Sequence, residues 1–362
     1  MSDNSTIING DSLIEMPKLP AESIDLIFAD PPYWMRTEGV LHRVEGTEFQ
    51  GCNDSWDKFN TLDDYESFTL QWLRECRRLL KPSGSLWVIG SMQCVYTIGS
   101  AMQHLGYWLI NDIIWQKSNP TPNFMGTRLN NSHETLIWAV KDRRSKFTFN
   151  YKTAKAMNAE SPGKQMGSVW RFPVCSGSER LKDSNGRKLH TTQKPLALLE
   201  RIIAISSNIG DTVLDPFAGT MTTGAAAKKL GRNYVMIERD ENYYAYGEKR
   251  LDEISFADTE IARADFDVKP VKVSITEMIE AGFFVTGEKF YLKDGHEYAK
   301  LQSNGKLLYQ GEILDIHTCA ALAKNLKAKR VNGFDYWHVM RGNGLVSIKI
   351  IRENYRTTKE ES

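Results

Sequence analysis

Two short stretches of this chain hold the residue types that could do chemistry. The first is Asp30-Pro31-Pro32-Tyr33, which closes the apolar run SIDLIFADPPY. It brings together a carboxylate, main-chain carbonyls beside two prolines of fixed φ, and an aromatic face. Such a set suits a flat ring bearing an amino group. Asp30 accepts one amino proton, a carbonyl of the proline pair accepts the other, and Tyr33 stacks on the ring.

The second stretch is DTVLDPFAGTMTTGAAAKKLGRNYVMIERD, residues 211–240. An apolar run ends at Asp215, a turn of small residues follows, and a second run ends at Glu238, 23 residues later. This is the layout of a nucleotide-type cofactor site, where a glycine lets the ligand approach the backbone and the later acid binds ribose hydroxyls. A nicotinamide fingerprint needs G-x-G-x-x-G, and only Gly219 and Gly224 stand here. An acid at the end of the first strand repels a pyrophosphate but suits an ammonium group. Asp215 therefore points to a cofactor with an amino-acid end, such as S-adenosylmethionine.

Both stretches need strands that end at one edge of a sheet. Short β-branched or aromatic runs predict seven, at 5–9, 24–29, 85–89, 109–115, 134–140, 212–214 and 233–237. Between them, helical spacing appears over 65–80, 92–105, 195–207, 222–231 and 241–254. The alternation implies an α/β fold with a mostly parallel, doubly wound sheet, whose carboxyl edge binds ligands. Strands 109–115 and 134–140 have no helix between them and are expected to pair antiparallel. After the linker DVKPVKV, residues 268–362 read as a small α+β domain. Helices are expected at 275–281 and 317–328, and strands near 289–293, 297–302 and 307–310.

Composition narrows the setting. Apolar content of 41% with 25% charge is that of a globular protein. No apolar run approaches the roughly 20 residues of a membrane span, and no secretory leader opens the chain, so a cytoplasmic protein with no membrane contact is expected. The five cysteines form no CxxC pair, which argues against a disulfide framework or a zinc site. Charge is uneven behind a net value of +1: residues 1–111 sum to −7, 112–201 to +9, 202–267 to −5 and 268–362 to +4. Alternating blocks suggest that some segments face a polyanion. Two stretches fall outside the strand–helix alternation. Residues 34–60 form a long polar loop directly after Tyr33, carrying Arg36, Arg43 and Trp56, and loops of such length are usually functional. Residues 117–189 read as a recognition insert, with Arg128, Lys141, Arg143, Arg144 and Lys146 interleaved with aromatics suited to phosphates and bases.

Taken together, the motifs resemble the β group of amino-methylating DNA methyltransferases, in which DPPY precedes the FxGxG cofactor motif. Within that group the chain is similar to the adenine methyltransferases acting on GANTC, the HinfI-type modification enzymes and the cell-cycle-regulated bacterial ones. The matching stretches run almost the whole length: IINGDSLIEM, SIDLIFADPPYWM, GSLWVIGS, NDIIWQKSNPTPNF, HETLIWA, HTTQKP, LDPFAGTMTTGAAAKKLGRNYVMIERD and NGFDYWHV. The resemblance implies a Rossmann-like methyltransferase of permuted motif order, using S-adenosylmethionine on double-stranded DNA with base flipping. It implies that Asp30, Pro31, Pro32 and Tyr33 hold the target adenine. It places Asp11 near the cofactor adenine, Glu238 on the ribose and Asp215 on the methionine ammonium. Phe217, Gly219, Thr220, Thr222, Thr223 and Lys194 would line the cofactor site. A homodimer is also expected on this ground. The C-terminal domain resembles the module appended to many adenine methyltransferases and would serve DNA binding, through Lys327, Lys329 and Arg330, or dimerisation. Cytosine amino-methylation on the same scaffold is the alternative, although that subgroup usually has Ser where Asp30 stands. One residue departs from the pattern. Met221 replaces the second glycine of FxGxG, and a side chain there is expected to crowd the cofactor or force a different turn, which would give weak cofactor binding or an inactive relative. The rest of the motif is intact and favours an active enzyme.

Overall fold

Alternate residues of the central strands feed two different cores, which is what a sheet covered by helices on both faces requires. The computed structural model describes residues 5–35, 40–42, 48–50, 57–123, 126–183, 186–190, 192–268, 270–293, 295 and 298–360. It divides into two compact units, residues 1–268 and 269–362.

In the first unit the strands are β1 (Thr6–Asn9), β2 (Ile24–Ala29), β3 (Val40–His42), β4 (Glu48–Gln50), β5 (Leu80–Gly90), β6 (Trp108–Lys117), β7 (His133–Val140), β8 (Val169–Phe172), β9 (Thr212–Asp215) and β10 (Asn233–Glu238). The helices are α1 (Ser12–Glu15), α2 (Leu62–Leu79), α3 (Val95–His104), α4 (Tyr151–Ala156), α5 (Leu196–Ser206), α6 (Thr222–Lys229), α7 (Glu241–Glu253) and α8 (Glu260–Arg263). Eight strands form one sheet in the order β1-β10-β9-β2-β5-β7-β6-β8, while β3 and β4 make a separate hairpin. The strands from β1 to β5 in that order pair parallel, and β7 runs antiparallel to both β5 and β6. The expected antiparallel pair is thus present. The eighth strand, β8, pairs parallel to β6 at the sheet edge. Its four residues lie in the basic segment, too short to show a period.

Leu26, Phe28, Trp87 and Ile89 join the core beneath α5 and α6. Their neighbours Ile27, Ala29, Leu86 and Val88 join the opposite core beneath α2 and α3. Trp87 and Trp138 sit opposite each other on β5 and β7 and stack with centroids 4.9 Å apart. Helix α2 shows why the layers form where they do. Thr61 and Asp64 make a capping box at its start. Its stripe of Tyr65, Trp72, Leu73, Cys76 and Leu79 is then buried. Among the described residues no helix is long and apolar enough to cross a membrane.

The second unit carries α9 (Ile275–Glu280), β11 (Lys289–Leu292), β12 (Tyr298–Leu301), β13 (Leu307–Tyr309), β14 (Glu312–Leu314), α10 (Ile316–Ala323), β15 (Trp337–Arg341), β16 (Gly344–Ser347) and α11 (Ile348–Glu360). Its six-stranded antiparallel sheet has the order β14-β13-β12-β11-β15-β16. Phe290, Leu301, Trp337 and Ile348 fill its core. Trp337 is fully buried and donates its indole N–H to the Ile316 carbonyl at 3.0 Å. It is a core residue, not a surface available for stacking.

Candidate active site

β2 and β9 are sheet neighbours, so the loops leaving their carboxyl ends open onto one space. A cleft of about 610 Å³ lies there, and the catalytic and cofactor candidates named above all line it.

Asp30 leaves β2 with its side chain mostly buried, and Lys194 Nζ lies 2.7 Å from its Oδ2. Burial pushes the Asp30 carboxyl up, against the pull of the Lys194 charge. Burial also opposes the charge on Lys194, but Asp30 and Glu134 outweigh it and hold the ammonium above its ordinary range. Both directions are compatible with an ion pair at neutral pH. Tyr33 is buried, and burial keeps its phenol protonated; the hydroxyl donates to Glu134 Oε2 at 3.0 Å. Tyr65 donates its hydroxyl to the Pro32 carbonyl at 2.9 Å. Beyond Tyr33 the backbone turns sharply: Trp34 has φ 50°, and Asp57 accepts from the N–H groups of Trp34 and Met35 at 2.6 and 2.8 Å. The DPPY loop is therefore tied at both ends of its aromatic pair.

On the other side of the cleft, Asp215 is 2% exposed. It accepts from Thr223 Oγ1 at 2.5 Å and from the Phe217 N–H at 2.9 Å. Burial raises its carboxyl to about 7 in spite of these bonds. A buried acid so poised is short of a cation. Glu238 accepts from the Gly219 N–H at 2.7 Å and from the Asp240 N–H at 2.7 Å, which fastens the small-residue turn to β10. Gly219 has φ +52°, and a Cβ there would stand 3.4 Å from His190 Nε2. The glycine thus serves both the turn and the opening. Asp11 caps α1 through the Leu13 N–H at 2.9 Å, and Arg239 lies 3.5 Å from its carboxylate. His190 accepts at Nδ1 from the Thr192 N–H, 3.2 Å away. Burial, with Lys194 and Arg180 nearby, lowers its pKa to about 4, so the ring is neutral.

Met221 does not crowd the cleft. Its backbone adopts the left-handed conformation a glycine would take, φ 57° and ψ 35°, so the turn is kept. The side chain is fully buried and points at Gly247 of α7, where an added Cβ would lie 2.2 Å from Met221 Cγ.

The nucleic-acid candidates fare differently. Arg36, Arg43 and Trp56 fall outside the described residues. Arg128 is exposed in the loop that leaves β6 at the cleft edge, where it donates to Asn131 Oδ1 at 2.9 Å. Lys141, Arg143, Arg144 and Lys146 are not brought to the cleft. Because β7 runs against β5, residues that follow Val140 emerge at the amino edge of the parallel strands. Lys141 there pairs with Glu22 at 3.0 Å, and Arg143 lies over Trp108 at 5.5 Å. Charge composition carries no strand direction, so the sequence does not show which edge these residues occupy. Lys327, Lys329 and Arg330 are exposed in the second unit, and Arg330 lies 3.5 Å from Asp315.

The sequence reading places Lys194 among the residues that line the cofactor site; it lines the shared cleft, and its ammonium sits on Asp30. The same reading passes over Glu134, whose carboxylate takes Lys117 at 2.7 Å. The available signal was an acid set directly before the apolar run TLIWAV.

The comparisons agree with this geometry. A DNA methylase family model, of the N6/N4 methyltransferase kind, matches residues 24–249. The chain is 48% identical over 351 residues to the Type II methyltransferase M.HinfI of Haemophilus influenzae, covering 97% of this chain and 96% of that protein. It is 38% identical over 250 residues to the Type II methyltransferase M2.LlaDCHI of Lactococcus lactis subsp. cremoris, covering 69% of this chain and 90% of that one. Among solved structures, the M1.HpyAVI–SAM complex is similar at TM-score 0.50 and 28% identity, over 68% of this chain and 98% of its own. The PvuII cytosine-N4-specific DNA methyltransferase, at TM-score 0.53 and 22% identity over 70% of this chain and 88% of its own, shares the fold. A family match spanning most of the cleft, with a relative close to half identical along nearly the full chain, makes this protein a member of the N6/N4 DNA methylase family.

Proposed function

We propose that this protein methylates the exocyclic amino group of adenine in double-stranded DNA, at 5'-GANTC-3', with S-adenosylmethionine as methyl donor. The observation that carries the reading is the sharing of one cleft by an amine-accepting loop, Asp30 to Tyr33, and a cation-seeking cofactor turn, Asp215 to Glu238. Aspartate at position 30, where the cytosine enzymes usually carry serine, favours adenine. The GANTC target rests on the similarity to M.HinfI along the whole chain.

The residues present fit the cofactor. Asp215 would hold the methionine ammonium, Glu238 the ribose hydroxyls and Asp11 the adenine end, with Phe217 and the threonines 220, 222 and 223 lining the space between. When bound, the cofactor supplies an electrophilic methyl group on a sulfonium. The protein has to make a poor nucleophile attack it, since the adenine amino nitrogen shares its lone pair with the ring. Asp30 accepts a hydrogen bond from one amino N–H. A carbonyl of the Pro31–Pro32 pair accepts from the other; that of Pro32 already takes one bond, from Tyr65, which favours Pro31 for the task. Both bonds draw the nitrogen towards a tetrahedral shape and aim its lone pair. Positioning and electrostatics then supply most of the acceleration. Reaching that pose requires the base to leave the duplex stack and lie against Tyr33.

On this reading residues 268–362 serve DNA binding or dimerisation, and the chain acts as a homodimer in the bacterial cytoplasm. Incubation with labelled S-adenosylmethionine and an unmethylated plasmid, followed by nucleoside analysis and modification mapping, tests the activity and its target. Label in methyladenine at GANTC is the expected result; label in methylcytosine, or at another sequence, overturns it.

A further inference from the structure

Lys194 bridges two carboxylates that arrive from opposite directions in the sheet. Its Nζ lies 2.7 Å from Asp30 Oδ2, at the end of β2, and 3.9 Å from Glu134 Oε2, at the start of the reversed strand β7. Glu134 in turn takes Lys117 at 2.7 Å and accepts the Tyr33 hydroxyl at 3.0 Å. Lys194 also stands 5.1 Å from the centre of the Tyr33 ring. Two of the four DPPY residues are thus held, directly or through one lysine, by a single acid outside the motif. The two carboxylates and two ammoniums sum to zero charge, which is the condition for keeping such groups buried and ionised.

Resting on the adenine-methylation reading, we propose that Glu134 is a positioning residue for methyl transfer. It holds the Lys194 ammonium against one oxygen of Asp30 and pins the Tyr33 hydroxyl, so the target amine meets an ionised Asp30 in a fixed pose. Lys194 then serves the amine, not the cofactor. The reason is chemical: a protonated Asp30 has one oxygen occupied by its own proton and accepts poorly, whereas the carboxylate accepts at both. Burial favours the protonated form, the Glu134 charge taken by itself adds to it, and Lys194 is the chief group that opposes both. The groups facing Asp30 are Lys194, Glu134, Tyr33, Cys94 and Asp215.

The sign of a pH shift separates this role from a bland one. If Glu134 were only a second negative charge beside Asp30, removing it would ease ionisation of Asp30 and move the acid limb of the rate profile down. Acting through Lys194, its removal moves that limb up. The experiment is single-turnover methylation of a GANTC duplex as a function of pH, with S-adenosylmethionine affinity by calorimetry, for wild type, Glu134→Gln, Lys194→Met and Lys194→Arg. Glu134→Gln is expected to slow transfer by about 10- to 100-fold with cofactor affinity within about threefold of wild type. Its acid limb and that of Lys194→Met should both move up, and Lys194→Arg should restore part of the rate. An acid limb that moves down, a rate within about threefold of wild type, or cofactor affinity falling in step with the rate overturns the inference. Should Glu134→Gln fail to fold, Glu134→Asp, which keeps the charge but draws it back from Lys194 and Tyr33, decides by the same criteria. A wild type that makes no methyladenine overturns the functional reading and this inference together. A normal wild type beside an unaffected Glu134→Gln overturns the inference alone.

Discussion

On the proposed reading the Asp30 carboxylate acts on the reacting amine. Asp30→Ala should therefore lower methyl transfer by more than about 100-fold while S-adenosylmethionine still binds, since the cofactor turn is built on β9 and β10. Turnover within tenfold of wild type in a single-turnover assay would refute that assignment. Asp215 makes a second prediction, on pH. Burial holds its carboxyl near 7 in the free protein, faced by the charges of Asp30 and Glu238. A bound ammonium favours the ionised form, so affinity should rise with pH through about 7 and level off above it. Lowering the pH from 7 to 6 should weaken binding about fivefold, with proton release at the lower pH. Calorimetry in two buffers of different ionisation enthalpy reads both quantities; flat affinity from pH 6 to 8 would remove Asp215 from the ammonium site. Residue types and spacing made these acids legible in the sequence. The partner of Lys194 was not legible, because its contact with Asp30 joins positions 164 apart and no local pattern encodes it.

Strand and helix positions were the most readable layer. A buried parallel strand needs a short β-branched run and a covering helix needs an apolar stripe, and β2, β5, β9, β10, α2 and α5 carry these plainly. Edges were less readable. β8 is a four-residue edge strand, and β14, β15 and β16 in the second unit, of three to five residues, went unpredicted. The contact between α6 and α7 shows a further limit. A glycine in the middle of α7 costs about 1 kcal/mol of helix propensity, yet Gly247 is what admits Met221. Gly247→Ala should thus destabilise the protein by about 1–3 kcal/mol through overpacking. Met221→Gly should also destabilise, since losing a buried methionine costs about 2–5 kcal/mol and relief of its left-handed backbone returns only about 1–2 kcal/mol. In the double variant the alanine no longer clashes, so the two losses should not add. Denaturant unfolding of the four-protein cycle measures this, and strict additivity would contradict the packing described. Cofactor affinity should stay near wild type in Met221→Gly, because that side chain lies outside the cleft.

At the scale of the whole molecule, charge blocks were visible in the sequence but their placement was not. Direction along the sheet decides which edge a basic run occupies, and composition does not contain it. The second unit offers a further basic cluster, and a charge-reversal variant tests its part in DNA binding. Changing Lys327, Lys329 and Arg330 to Glu should lower duplex affinity and flatten its salt dependence by about 0.9 log units per lost phosphate contact. Unchanged affinity and slope in a protein of unchanged mass would exclude that surface. The pairing of β2 with β9 carries a different consequence, one of timing. Leu26 pairs with Val213, so during synthesis β2 waits for a neighbour 187 residues away. At about 5–20 residues per second that interval is about 10–40 s. Throughout it, the strand that carries the catalytic loop presents one unpaired edge to whatever else the ribosome's surroundings contain. Nascent chains stalled shortly before Thr212 should accordingly be cut by protease within or beside β2, and chains stalled well past Glu238 should resist. The order of motifs along the gene therefore sets how long this enzyme depends on protection before its two substrates have anywhere to bind.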